Sequence, residues 1–271
     1  AAPLNQPIIA VGESFQARDI YIYSGATLIN RGTLKIAGRL SATVGGINNV
    51  NAGIVVGSIE MNGLCSNAQF ISGNMFVGNH VNNLSIVSEV TISPTAGQGI
   101  NLWGTLNFGA GPDTLKTNGN LTLKSTVAST ASVAEILTGN FINGDVTVER
   151  YIHTGTTGGA HTKTWQFLAT PTTGQTIRQA WQENGTAPAG FGTIITGTGT
   201  GFDITTALPS IKFFNDVAVN WTAVTNTNNA LLNKLGYMLF VRGDRTVTTS
   251  GANPNNTVLR SKGTLFQPSN P

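Results

Sequence analysis

A short phrase recurs through the first half of the chain: a glycine, a polar residue, and then apolar residues at alternate positions. It is found at residues 32–36, 57–61, 104–108, 119–123 and 144–148. The alternation is typical of a short strand that buries one face. Copies that return at intervals of roughly 15–25 residues predict coils stacked on one another, which is a β-solenoid.

The predicted fold is all-β and has three parts. Residues 1–24 are a lead-in, residues 25–145 are the β-solenoid repeat region, and residues 146–271 are a β-sandwich-like domain with short helical insertions. In the last part, apolar and β-prone runs predict strands at Val146–Ile152, Lys163–Ala169, Ile211–Asn215, Gly236–Val241 and Thr257–Gly263. A short helix is predicted over Thr176–Glu183, with Gly185 ending it.

The lead-in contains two apolar groups, and both are candidate assembly contacts. Their members are Ile8, Ile9, Val11, Ile20, Tyr21, Ile22 and Tyr23. The favoured interpretation is that they cap the first coil, because the end coil of a solenoid otherwise exposes its core. The alternative is that they pair with a neighbouring molecule as an added or exchanged strand.

The composition weighs against several classes of partner. Charged residues are 10% of the chain, against about 25% in an average soluble domain. The 15 Lys and Arg residues are scattered singly, whereas a nucleic-acid site needs them clustered. No apolar run approaches the roughly 20 residues of a membrane span. The single Cys65 excludes an intrachain disulfide and is predicted to be a small buried side chain.

Catalytic and metal-binding patterns are weak, so we predict no catalytic residue, no metal and no cofactor. A glycan-cleaving site needs convergent carboxylates. The candidates in the repeat region are Glu60, Glu89, Asp113, Glu135 and Asp145, and Glu60 is more simply explained as a lone solvated charge. His153 and His161 flank a Gly-Thr loop without further ligands at metal spacing, and are interpreted as plain loop residues. Arg242, Asp244 and Arg245 predict a turn with a local Asp–Arg pair, the alternative being a contact to a partner subunit.

Two single residues carry further hypotheses. Trp103 is interpreted as a core side chain, and alternatively as an exposed ring that stacks on a sugar. Asp113-Thr114-Leu115 resembles a bacterial O-glycosylation signal and makes Thr114 the candidate glycan acceptor.

Several runs in the second half carry a resemblance to a known type of protein. They are residues 146–152 (Val-Thr-Val-Glu-Arg-Tyr-Ile), 164–169, 175–183 and 236–245 (Gly-Tyr-Met-Leu-Phe-Val-Arg-Gly-Asp-Arg). Together they resemble a module of large secreted surface proteins of Bacteroidota, which often end in a sorting domain for type IX secretion. The resemblance implies an extracellular or outer-surface location and a structural or adhesive role, and it carries no catalytic residue.

The expected function is that of a non-enzymatic extracellular structural protein. We expect it to be a subunit or segment of a surface filament or adhesin stalk that self-associates through strand edges and apolar contacts. The start at Ala1-Ala2-Pro3 is what signal-peptide cleavage leaves at a small-residue site, which agrees with an extracellular location. The alternatives are a carbohydrate-binding adhesin and a β-helix enzyme that degrades polysaccharides.

Overall fold

A computed structural model describes residues 6–63, 68–155, 162–186, 189–249 and 253–267. Cys65 and His161 therefore lie outside the described residues. The chain divides into two compact units: the first comprises residues 1–124, 129–147 and 267–271, and the second comprises residues 125–128 and 148–266.

The first unit is built of short strands. In chain order they are β1 (Ile8–Ile9), β2 (Ser14–Ala17), β3 (Ile20–Ile22), β4 (Leu28–Asn30), β5 (Thr33–Ile36), β6 (Leu40–Ala42), β7 (Ile47–Asn48), β8 (Val50–Asn51), β9 (Ile54–Val55), β10 (Ser58–Met61), β11 (Gln69–Ile71), β12 (His80–Val81), β13 (Leu84–Ile86), β14 (Val90–Ile92), β15 (Ile100–Leu102), β16 (Thr105–Phe108), β17 (Thr114–Lys116), β18 (Leu121–Leu123), β19 (Ser132–Val133) and β20 (Phe141–Asn143). Two 3-10 turns, Gly73–Met75 and Val77–Asn79, precede β12.

These strands form three parallel ladders along about six coils, which confirms the predicted solenoid. The first ladder contains β1, β4 and β7, continues through an Ile47–Phe76 bridge, and then contains β12, β15 and β18. The second ladder is β2, β5, β10, β13, β16 and β19, and the third is β3 and β6, followed by β11, β14, β17 and β20. Strands β8 and β9 form a separate antiparallel hairpin.

The repeated glycine phrases stack in register where they share a ladder. Leu34, Ile59, Leu84 and Leu106 are successive partners in the second ladder, and each is at most 1% exposed. Burying such a side chain contributes about 1.5–3 kcal/mol. The copy at 119–123 forms β18 of the first ladder instead. The phrase therefore predicts a strand of a coil, but it does not determine to which ladder that strand belongs.

Buried amides join the coils at one corner of the solenoid. The side-chain nitrogen of Asn30 donates to the Asn49 side-chain oxygen at 3.0 Å, and Asn49 donates to the backbone oxygen of His80 at 2.8 Å. Both asparagines are fully buried. Because their polar side-chain atoms are hydrogen-bonded between coils, these residues have a structural role and favour one way of stacking the coils.

The last strand of the third ladder is completed by a side chain. The amide oxygen of Gln267 accepts from the Ile142 N–H at 2.9 Å, and its amide nitrogen donates to the Ile142 carbonyl at 2.7 Å. A single side-chain amide thus satisfies both backbone groups of Ile142, as a paired strand residue does.

We predict that Gly73→Ala destabilises the first unit by about 1–3 kcal/mol, as overpacking does. A Cβ atom at Gly73 would lie 1.8 Å from the backbone oxygen of Gly99. The matched control is Gly111→Ala, whose nearest contact would be a side-chain oxygen of Asp113 at 3.7 Å. Thermal unfolding followed by circular dichroism measures both, and equal melting temperatures for the two variants would contradict the prediction.

The second unit contains two sheets. Its strands are β21 (Asp145–Ile152), which starts at the end of the first unit, β22 (Thr164–Leu168), β23 (Thr172–Thr173), β24 (Ile211–Asn215), β25 (Asn220–Ala223), β26 (Tyr237–Val241) and β27 (Thr257–Leu265). One sheet has the order β22-β26-β24-β25 and is antiparallel, and the other contains β21, β27 and β23. The five strands predicted here are confirmed to within two residues at each end.

Both sheets contribute to one apolar core. Its members include Ile152 and Leu259 from one sheet and Ile211, Leu239 and Val241 from the other. The all-β class is confirmed, whereas the β-sandwich arrangement of this part stays a prediction. In the parts of the chain described, no helix is apolar over a length that would cross a membrane.

The helix predicted over Thr176–Glu183 is wrong. The segment makes helical hydrogen bonds from Ala180 to Thr176 and from Trp181 to Ile177, and then turns. Glu183 and Asn184 have φ values of 49° and 57° and lie in a 3-10 turn, Glu183–Gly185. Left-handed backbone at two successive residues ends a helix.

Candidate functional site

The first coil of the solenoid has open strand edges. Strands β1, β2 and β3 each pair with the next coil, through β4, β5 and β6. No strand of the described residues pairs with their other edges. The lead-in residues from Ile8 to Ile22 therefore form a coil of the solenoid, and the backbone groups on its other side have no pairing strand among the described residues.

The apolar side chains of this coil are partly uncovered. Phe15 pairs with the fully buried Leu34 and points in the same direction, yet it is 52% exposed. The reason is that no described coil stacks over it. Phe15 was not among the predicted assembly contacts. Of those that were, Ile9 is buried, Ile20 and Ile22 are half-buried, and the exposed ones are Ile8, Val11, Tyr21 and Tyr23.

The three edge strands carry no charge. The charged residues of the coil, Glu13, Arg18 and Asp19, lie in the turns between strands. Glu13 accepts from the Ala10 N–H at 2.9 Å, and Asp19 accepts from the Arg39 N–H at 2.7 Å. Natural edge strands are commonly protected by charges on the strand itself, so this coil lacks that protection within its described strands.

The third ladder is interrupted between β6 and β11, where a cleft of about 740 Å³ opens. Arg18, Arg39 and Phe70 contribute to its lining. The side chain of Gln69 bridges the interruption, donating to the backbone oxygens of Ile36 at 2.9 Å and Gly38 at 2.8 Å. Both acceptors precede β6, so the Gln69 amide joins β11 to the end of β5 and the segment between β5 and β6.

Trp103 is half-buried and contacts a histidine. Its ring lies 5.1 Å from that of His80 in an edge-to-face arrangement. Burial and the positive charge of Lys124 lower the pKa of His80 below its ordinary value. The buried indole N–H of Trp103 has no hydrogen-bond partner among the described atoms, and its ring is intermediate between a core side chain and an open stacking surface.

Two of the candidate carboxylates, Glu60 and Glu89, are each paired with a lysine of an adjacent coil, so the prediction that Glu60 is a lone solvated charge is wrong. Glu60 lies 2.9 Å from the Lys35 ammonium, directly opposite it in the second ladder. Glu89 forms an ion pair with Lys116. Opposite charges on neighbouring strands are a common source of sheet stability. In the part of the chain that the structure describes, no three His, Cys, Asp or Glu side chains come together.

Thr114 lies in β17, half-buried, between the buried Asp113 and Leu115. Burial raises the pKa of the Asp113 carboxyl, and a hydrogen bond to Gly109 opposes that shift. Because Leu115 points into the core, Thr114 points outward, as a glycan acceptor must.

His153 lies beside Tyr151, with 6.0 Å between the centres of the two rings.

The local Asp–Arg pair predicted for Asp244 and Arg245 is wrong. The Arg245 guanidinium instead pairs with Asp203, with contacts of 2.8 and 3.1 Å between nitrogens and carboxylate oxygens. Asp244 accepts from the N–H groups of Gly190 and Thr246, and these bonds lower its pKa against the opposing effect of burial. The Arg245 and Asp203 side chains are buried within the second unit.

An exposed aromatic surface in the second unit was not predicted. Along β22 and β26, alternate residues face the core, and the residues between them form an outer surface together with those of β24 and β25. We call it the aromatic face, and it comprises Trp165, Phe167, Lys212, Phe214, Trp221, Met238 and Phe240. The alternation of Trp165 and Phe167 in the sequence indicates a strand, but it does not show that this side is left uncovered.

The open first coil and the aromatic face are therefore the two candidate sites for binding. Comparison with known proteins found no match to the chain among protein-family models, curated proteins or solved structures.

Proposed function

We propose that this chain is a non-enzymatic, extracellular structural protein, a subunit or segment of a surface filament or adhesin stalk, and that it self-associates through its first coil. The observation that carries the proposal is that Phe15, which points inward from β2, is half-exposed. The three strands of its coil each pair with only one described strand. An incomplete core beside unpaired backbone is a surface that another chain completes.

The partner on this surface is a second copy of the same chain. The coil has three short edge strands, one in each ladder. Another coil end can pair with all three at once, whereas a single extended peptide can pair with only one of them. Because the edge strands are uncharged and the flanking aromatics are Tyr21 and Tyr23, contact buries apolar area and adds backbone hydrogen bonds. The extracellular location is supported by the resemblance of the second half to secreted surface proteins.

We expect Phe15→Glu to abolish self-association. A carboxylate placed at this position would be buried without a partner in the assembled state, which is strongly unfavourable. Sedimentation velocity over a range of concentrations measures the effect, and circular dichroism checks that the fold is kept. The matched control is Phe70→Glu, which alters a side chain that is 47% exposed in β11 of the same unit.

Association should also change little between low and high ionic strength, because few charges lie in the contact. A wild-type chain that stays monomeric at every concentration would refute the proposal. So would assembly that is unaffected by Phe15→Glu, or a steep dependence on salt.

A further inference from the structure

We propose that the aromatic face binds an acidic polysaccharide, a chain of sugar rings that carry carboxylate or sulfate groups. This inference is independent of self-association through the first coil, since every residue it uses lies in the second unit. It starts from an unusual division of one sheet. The core-facing side presents Ile211, Tyr237, Leu239 and Val241. The opposite side carries five aromatic rings, of which Trp165 and Phe167 are 38% and 71% exposed and the other three are partly buried.

The rings are held in place by one another. Trp165 lies 5.3 Å from Phe240, and Trp221 lies 5.5 Å from both Phe167 and Phe214, measured between ring centroids. Phe167 remains 71% exposed despite its contact. Because the side chains are already ordered by these contacts, a ligand that stacks on them meets a smaller loss of side-chain freedom.

The charge of the face is positive. Strands β22, β24, β25 and β26 contain one charged residue, Lys212, whose ammonium lies 5.7 Å from the centre of the Trp165 ring. Arg242 follows β26 and places its guanidinium 4.9 Å from the centre of the Phe240 ring. The acid closest in sequence to these strands, Asp216, lies in the turn after β24. Rings and cations thus occur together on one surface.

Acidic sugars match both features. The C–H groups on the face of a sugar ring carry partial positive charge and pack on the negative face of an aromatic ring. Carboxylates or sulfates on the rim of the sugar pair with lysine and arginine through charge-assisted hydrogen bonds. A neutral glucan would use the rings alone, and would leave the two cations without a partner from the ligand.

Two other occupants fit less well. A second copy of the chain offers few free carboxylates, because eight of its twelve acids are paired or buried. Asp19, Glu60, Glu89, Glu183 and Asp203 are in ion pairs, and Asp113, Glu149 and Asp244 are buried. Single-stranded nucleic acid also stacks on aromatic rings, but it requires a row of cations along its phosphates. Lys212 and Arg242 do not make such a row.

The test is affinity electrophoresis and titration calorimetry of the full chain with polygalacturonate, alginate and a sulfated glucan. Hydroxyethyl cellulose is the neutral reference, and oligothymidylate is the single-stranded nucleic-acid reference. We expect binding to at least one acidic polymer, and weaker binding to the neutral one. Phe167→Ala should reduce the affinity by about tenfold, corresponding to the loss of roughly 1.4 kcal/mol. Lys212→Gln should reduce the preference for acidic over neutral polymer. The control is Phe70→Ala, which leaves binding unchanged.

Four outcomes would overturn the proposal. They are no binding to any acidic polymer, equal binding by Phe167→Ala and the wild type, preferential binding of oligothymidylate, and a change of oligomeric state on Phe167→Ala in sedimentation velocity. The last would make the aromatic face a contact between copies. Because Phe15→Glu leaves the second unit unchanged, its binding to polysaccharide separates this inference from the proposed self-association.

Discussion

Arg245→Met is expected to lower the free energy of unfolding of the second unit by about 3–5 kcal/mol, the range for breaking a buried ion pair. The Arg245 and Asp203 side chains are 4% and 8% exposed, and the guanidinium also donates to the Thr193 carbonyl at 3.1 Å. Methionine fills similar space but leaves the Asp203 carboxylate buried with its charge unpaired. Urea unfolding followed by tryptophan fluorescence measures the loss, because Trp165, Trp181 and Trp221 all lie in this unit.

The matched control is Arg18→Met, which removes an exposed ion pair. Arg18 and Asp19 are 3.7 Å apart, and their side chains are 89% and 38% exposed. We expect no measurable loss of stability there. In a double-mutant cycle, Asp203→Asn together with Arg245→Met should cost less than the sum of the single variants, because each charge is unfavourable mainly in the absence of the other. Additive losses, or a loss below about 1 kcal/mol for Arg245→Met, would show that the pair is not a structural requirement.

Leu84→Ala should destabilise the first unit by about 2–5 kcal/mol. Leu84 lies between Ile59 and Leu106 in the second ladder, and all three side chains are buried. A cavity there removes contacts with the coils on both sides. The loss matters because each coil of a solenoid is stabilised mainly by its neighbours. Hydrogen exchange of the amides in β10, β13 and β16 reports the loss locally, which avoids assuming that the two units unfold together.

The control for this cavity is Leu137→Ala, which removes the same atoms from a leucine that is 51% exposed. Its expected effect is below about 1 kcal/mol, since little apolar surface returns to water. Faster exchange in β10 and β16 in the Leu84 variant, with no change in the Leu137 variant, is the expected pattern. Equal effects of the two substitutions would contradict the stacking of Leu84 in a common core.

The solenoid could be predicted because its signal is local and repeated. In the second ladder, β5, β10 and β16 each follow a glycine and have the alternation seen in Leu34 and Ile36. Gly32, which precedes β5, allows the close approach of the Glu13 backbone. Period-2 patterns also located β24 and β26 in the second unit. Those assignments required nothing beyond neighbouring residues, and that is the information a single sequence contains.

Features that depend on distant residues were missed. Asp203 is separated from Arg245 by 42 positions, so proximity in sequence favoured Asp244 as the partner instead. The helix over Thr176–Glu183 was wrongly predicted because Glu183 and Asn184 have left-handed backbone, and Glu183 pairs with Arg260, 77 positions away. The aromatic face was missed because alternation identifies two sides of a strand without identifying which one is left uncovered.

At Ile142 the Gln267 side chain takes the place of a pairing strand, so the two ends of the first unit are not alike. An incoming coil extends all three ladders at once, and one of the three is already closed at that end by an amide. If copies associate by strand pairing as proposed, they meet through their first coils, and two such ends related by a two-fold axis form a closed pair. A longer fibre then needs a second, chemically different joint between pairs.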